Sequence, residues 1–369
     1  MVILLGEDTI PVIKMTKDKQ KNNYMENGKS FHDSMKFLFR ISQFFGLFPL
    51  QGTSSSTYKD MYFSWFSFRT IYTLLIAVIS FVHGVWCAFF LMSSQVTFEV
   101  YELNVFFFYA RGGLTCLVFL TLAKNWPLLL RDFEKVEKFS LQYPPSTVRD
   151  RELKIITFVI FFCAAVEHFT VQFMNFVASV RCENNIWDTF HRFFVYISYR
   201  QVFSYVSYNI FLGILLQTLN FFVTFGWTFI DIFIINASKN FSEKLVQLRN
   251  QISTTITSEI HSSNSWGKLR EQYTQILTLF RTFNQKLNNI ILVSFATNIY
   301  FLLTQLFAWM RTNGSETTLH HIYHALSFSL LVSRTGFVCF YGASIKEESV
   351  IIQKTLVTIP SHLYNDEVI

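Results

Sequence analysis

The stretch LNNIILVSFATNIYFLLTQLFAWM, residues 287 to 310, holds no charged side chain in 24 positions. As an α-helix it would be about 36 Å long, enough to cross the roughly 30 Å of hydrocarbon in a bilayer. Five other stretches share this character: 70 to 92, 103 to 123, 155 to 180, 208 to 235 and 322 to 345. The rest of the composition agrees. Only 15% of the 369 residues are charged, against about 25% in a soluble domain, and 51% are hydrophobic, with 44 Phe. The reading is an all-α integral membrane protein with six visible transmembrane helices.

Other classes fall away on the same arithmetic. Five cysteines in so long a chain make no disulfide framework, and no CxxC or Cys/His cluster has metal-ligand spacing. No GxSxG, HExxH, P-loop or GxGxxG is present, so neither an enzyme nor a bound cofactor is expected. The net charge of +6 forms no stripe or arm for nucleic acid; it is spread between the apolar stretches. Its distribution sets an orientation instead. Of the Lys and Arg outside the six segments, only Arg181, Arg192, Arg200 and Arg311 fall on one side, and cytoplasmic flanks carry the excess. The amino terminus is therefore expected in the cytoplasm, with 1 to 69 and 346 to 369 as cytoplasmic ends around a bundle at 70 to 345. Met1 to Leu5 is apolar, but Glu7 and Asp8 follow with no cleavage site, so no signal peptide is expected. Asn313, Gly314, Ser315 is then a glycosylation acceptor on the outside, whereas Asn236 and Asn240 begin acceptors on the inside.

Two cytoplasmic stretches read as amphipathic helices. Phe37, Phe39, Ile41, Phe44, Phe45 and Leu47, with Lys36 and Arg40, predict an interfacial helix ended by Pro49. Trp266, Leu269, Tyr273, Ile276, Phe280 and Phe283 recur at helical spacing and join the fifth segment, predicting one long rod to Met310.

Polar groups inside the membrane are costly, and so are candidates for function. Counted from the expected outer ends, Arg111, Glu167, His168, Gln172 and Asn175 cluster in the outer half, and Tyr208, Asn209, Gln305, Trp309 and His324 join them there. Hydrogen-bonding side chains mixed with flat aromatics suit a polyhydroxylated ligand, whose hydroxyls need partners while its C–H faces stack on rings. The same residues would also serve to hold helices together, at about 0.6 kcal/mol per hydrogen bond. Glu167 and Arg334, at similar depth, are expected to form an ion pair. Trp227 and Asp231 are placed at the inner end of the fourth segment, as structural or gating contacts outside the pocket, and Arg334 joins them.

Several runs together resemble one family. FFGLFPL at 44 to 50, the EH pair at 167 and 168, FGWTFIDIFII at 225 to 235, NNIILVSFATNIYFLLTQLF at 288 to 307 and SRTGFVCFYGASIKEES at 333 to 349 look like insect gustatory receptors, most of all the sugar-receptor branch. The resemblance implies a cytoplasmic amino terminus and a sugar ligand. It also implies a ligand-gated, non-selective cation channel built as a homo- or heterotetramer with other gustatory subunits, in the plasma membrane of chemosensory neurons. The family's seventh helix would follow the stretch resembling Tyr364 to Val368, and the chain stops at Ile369, so the resemblance implies a pore wall that is missing here. A metabotropic receptor would need the opposite orientation. A solute transporter would be expected to show repeats with broken helices, which the sequence does not display.

Overall fold

The computed structural model describes residues 31–55, 58–93, 100–139, 147–180, 183, 185–257, 263–311 and 318–357. These residues form nine α-helices: α1 Phe31–Phe44, α2 Phe68–Ser93, α3 Val100–Phe139, α4 Thr147–Val180, α5 Ile186–Arg192, α6 Arg200–Phe203, α7 Ile210–Thr257, α8 Ser263–Arg311 and α9 Thr318–Val357. Six of them, α2, α3, α4, α7, α8 and α9, are long and apolar enough to cross a membrane. Among the described residues the extended structure is a single isolated bridge between Gln51 and Tyr62.

The spanning helices carry apolar side chains on their outer as well as their inner faces. On α2 the exposed apolar side chains include Ile71, Leu75, Val78, Val82, Val85 and Phe89, every three or four residues, while Thr70, Thr73, Ser80, His83 and Gly84 are buried beside Ile76, Ala77, Cys87 and Phe90. In lipid, apolar residues lose nothing by facing out, and small or polar residues bring helices close together. Where α3 passes α7, a β-carbon on Gly112 would come within 2.7 Å of Val223, so a hydrogen is what fits.

The helices overrun the apolar stretches that define them. α3 continues past Ala123 and through Pro127 to Phe139, and α8 is a single 49-residue helix, about 73 Å long. α7 runs for 48 residues, so Asp231 lies near its middle, not at its inner end.

The first amphipathic stretch does not lie flat on a surface. α1 inserts one face into the bundle, burying Phe31, Met35, Leu38 and Phe39 and leaving Phe37 and Phe44 exposed. Phe31 stacks on Phe133 at 3.9 Å and meets Phe283 edge-on. Glu137 accepts the backbone N–H of Phe31 at 2.8 Å, satisfying one of the helix's orphan donors, and also pairs with buried Lys244 at 3.2 Å. After α1 the FFGLFPL run makes a buried turn, with Gly46 at φ +69° and Phe48 at φ +55°. It seats Phe48 between Trp126, Phe119 and Phe233.

Candidate ligand-binding site

A cavity of about 380 Å³ opens among α3, α4, α7, α8 and α9, towards the bundle end remote from α1. We call this the distal end. That volume lies in the range of small-molecule sites. The connection between α4 and α7 contributes part of the distal wall. It folds as α5, a π-helical turn at Phe193–Ser198 and α6, around its own apolar cluster of Phe193, Phe194, Tyr199, Val202 and Phe203. Ser198, Tyr199 and Gln201 from this segment reach the cavity.

The distal wall is polar. Gln172 and Asn175 come from one face of α4, three residues apart, with Gln217 and Asn220 from α7 and Gln305 from α8. Several of these groups are already paired, Tyr199 donating to Gln217 at 2.8 Å and Asn220 to Tyr109 at 3.4 Å. Gln305 donates through Nε2 to Ser327 Oγ at 3.2 Å, and Ser327 donates to the Glu167 carboxylate, so one chain of hydrogen bonds ties α8 to α9 and α4. Among the described residues, and apart from Arg334 Nε with its ion pair to Asp231, three buried side-chain atoms of the cavity lining have no hydrogen-bond partner: Gln172 Oε1, Gln305 Oε1 and Ser198 Oγ. Buried polar atoms are nearly always bonded. Two carbonyl acceptors and a hydroxyl oxygen left open are what a ligand with several hydroxyls would fill.

Deeper in the cavity stands the Trp227 ring. The Arg334 guanidinium carbon sits 4.5 Å from its centroid and that of Arg111 sits 4.8 Å away, so one indole meets two cations, a geometry favoured by the ring quadrupole. Its Nε1–H donates to Asn298 Oδ1 at 2.8 Å. Asn298 Nδ2 lies 3.3 Å from both oxygens of Asp231, Ser294 Oγ donates to Asp231 at 2.5 Å, and Arg334 Nε pairs with it at 2.7 Å. Arg334 Nη1 also donates to Thr228 at 3.1 Å. The network closes on itself across α7, α8 and α9, and Arg111 joins it from α3. Helical spacing builds it, since Trp227 and Asp231 are four residues apart on α7, as are Ser294 and Asn298 on α8.

Of the residues singled out from the sequence, Glu167, His168, Gln172, Asn175 and Gln305 line one cavity, and so do Trp227 and Arg334, which were assigned as structural or gating contacts. The others stand off its wall. Arg111 lies behind Trp227, over Phe108, and donates to Val223 O at 3.3 Å. Tyr208 packs on His191 and Phe203, and Asn209 caps α7 through the backbone N–H of Phe211. Trp309 is half exposed against Phe328, and His324 neighbours Tyr323, which does line the cavity. Asn313 lies outside the described residues. The expected Glu167–Arg334 pair is not formed. Arg334 of α9 takes Asp231 of α7, and Glu167 takes a serine of α9. Ser294 and Asn298 went unnoticed in the sequence, although two polar residues four apart inside an uncharged span are a visible signal. Ser198, Tyr199 and Gln201 left no such trace, because a connection's fold is set by what it lands on.

Residues 13–369 match the family model described as trehalose receptor. The chain belongs to the trehalose receptor family. Members from Drosophila melanogaster share its sequence along most of its length. The gustatory receptor for sugar taste 64f is 26% identical over 353 residues, which cover 94% of this chain and 73% of that one. The gustatory receptor 5a for trehalose is 26% identical, over 94% and 77% respectively. The family therefore falls in the sugar branch of the insect gustatory receptors, as the resemblance implied. Its fold is also that of a solved structure, the olfactory receptor OR5 of Machilis hrabei. The two agree with a TM-score of 0.57 at 13% identity, over 89% of this chain and 85% of that one, and the complex of that receptor with eugenol gives 0.62 at 12%.

Proposed function

We propose that this chain is a gustatory receptor for sugars, that sugar binds against the distal wall of the cavity, and that the chain serves as a subunit of a ligand-gated, non-selective cation channel. The observation that carries the sugar reading is the set of open acceptors on Gln172, Gln305 and Ser198, set among aromatic rings in a cavity of suitable size. The curated relatives are named for sugar taste and for trehalose, which supports the same ligand class. The channel, its tetrameric assembly with other gustatory subunits, and the plasma membrane of chemosensory neurons follow from the family. A cytoplasmic amino terminus, with 1 to 69 and 346 to 369 on the same side, follows from the distribution of Lys and Arg. A transporter reading gains no support from the helices, since all six spanning helices run unbroken through their apolar stretches.

Gating follows from the geometry by population shift. Sugar opens a pore only to the extent that it binds the open bundle more tightly than the closed one. A ligand on Gln172 and Gln305 bridges α4 and α8, and Gln305 is already tied through Ser327 to α9, so a change in their spacing changes the ligand's contacts. Titration of the purified protein with trehalose, by calorimetry, tests the reading. Gln172→Leu and Gln305→Leu should each weaken binding by about 1 to 3 kcal/mol, the worth of a lost hydroxyl partner, with the unfolding temperature held near that of the parent. Loss of stability in step with loss of binding would place both residues in helix packing instead.

A further inference from the structure

The cavity changes character along its length, and its second end is not sealed. Away from Gln172, Asn175 and Gln305 its lining becomes Val159 and Ile160 of α4 with Leu331 and Phe337 of α9. Val159 and Phe337 line the cavity and yet are 50% and 47% exposed on the outside of the molecule. Ser333, one turn before Phe337, likewise lines the cavity and is exposed. These three residues frame a gap between α4 and α9.

The depth of the gap decides what can pass. Counted from the ends nearest the amino-terminal side, Val159 is four residues inside the apolar stretch 155 to 180 and Phe337 eight inside 322 to 345. At the helical rise these are about 6 and 12 Å, so the gap opens within the apolar part of both helices. A sugar would have to shed its water in lipid to use it. A molecule with one alkyl chain and one polar head is already dissolved there. Its chain matches Val159, Ile160 and Phe337, and its head matches the polar half beyond.

We propose that a single-chain amphiphile of the medium-chain alcohol type enters this cavity from the bilayer, through the gap between α4 and α9. The proposal rests on the cavity being the ligand site, and does not require that its distal occupant be a sugar.

Cys163 provides the test, because it lines the cavity on α4 one turn from Val159, while Cys339 is exposed on α9 near the same depth as Phe337. The purified chain in nanodiscs, without sugar, is treated with N-dodecylmaleimide, and labelling of each cysteine is followed by mass spectrometry. The ratio of Cys163 to Cys339 labelling cancels the reagent's partition into lipid. Decanol at saturation should lower this ratio about tenfold by occupying the cavity. Val159→Trp should lower it by filling the gap, and Phe337→Ala should raise it by widening the gap. If Val159→Trp does not fold, Phe337→Ala and decanol carry the test. A ratio indifferent to decanol and to the substitutions overturns the proposal, as does an unlabelled Cys163 beside a labelled Cys339. A chain that shows the expected labelling but binds no trehalose keeps this entrance and loses the sugar reading. One that binds trehalose and fails the labelling test loses the entrance alone.

Discussion

Asp231 has no exposed surface, and donors from two other helices surround its carboxylate: Ser294 and Asn298 on α8 and Arg334 on α9. A lone charge at the centre of a spanning helix costs about 2.5 to 3.5 kcal/mol on insertion scales, so removal of one partner exposes that cost in the other. Asp231→Asn and Arg334→Gln should each lower the yield of monodisperse protein and its unfolding temperature. The double variant should recover part of the loss, with a coupling of about 1 to 3 kcal/mol. Glu167→Gln combined with Arg334→Gln should show a clearly smaller coupling, because the Glu167 carboxylate is held by Ser327 and feels Arg334 only at a distance. Thermal unfolding in detergent, read by size-exclusion fluorescence, measures both cycles. A strong coupling between Glu167 and Arg334 would contradict the pairing described here.

At the scale of the element, the turn after α1 depends on backbone that only some residues adopt. Gly46 has φ +69°, and a β-carbon there would meet Ile76 Cδ1 at 2.2 Å. Gly46→Ala therefore carries two penalties, about 1 kcal/mol for left-handed backbone at a residue with a side chain and a smaller one for turning the end of Ile76 away on α2. Ile76→Val removes the clashing methyl group. Relative to the sum of the two single substitutions, the pair Gly46→Ala and Ile76→Val should recover the steric share and leave the backbone share of about 1 kcal/mol, since Ile76→Val alone costs about 0.5 to 1.5 kcal/mol at this buried site. Calorimetric unfolding in nanodiscs separates the two. If the second substitution recovers nothing, the turn is free to shift away from α2, and the burial of Phe48 between α3 and α7 does not hold it in place.

For the whole molecule, orientation is the property that glycosylation of the native acceptors reports least. Asn236 and Asn240 are each 1% exposed within α7, and Asn236 Nδ2 donates to Thr157 at 3.2 Å, so a glycan on either is incompatible with the folded bundle. Their silence carries no topological information. Cysteine accessibility does. Ser54 follows the buried turn after α1, Ser204 follows α6 at the distal end, and both are exposed. Ser204→Cys should react with a membrane-impermeant maleimide on intact cells, and Ser54→Cys only after permeabilisation. The reverse pattern would invert the bundle and revive the metabotropic reading.

Hydropathy and charge belong to the chain and survive any arrangement of its helices, so six spanning segments and the polar side chains within them could be read in order from the residues alone. Gln172 and Asn175 of the cavity, and the presence of Trp227, Asp231 and Arg334 as costly groups, were legible for that reason. Which buried charge meets which was not. An ion pair is a matter of a few ångströms between helices, and depth counted from helix ends made Glu167 and Arg334 level, whereas the way α7 packs against α9 sets Asp231 beside the arginine. The α1 stretch shows the same limit. Its apolar face is equally suited to lipid and to protein, and only the groove lined by Trp126, Phe133 and Phe283 decided that it is buried. The cavity and its gap towards the bilayer exist in no segment of the sequence, because they are spaces that α3, α4, α7, α8 and α9 leave between them once packed.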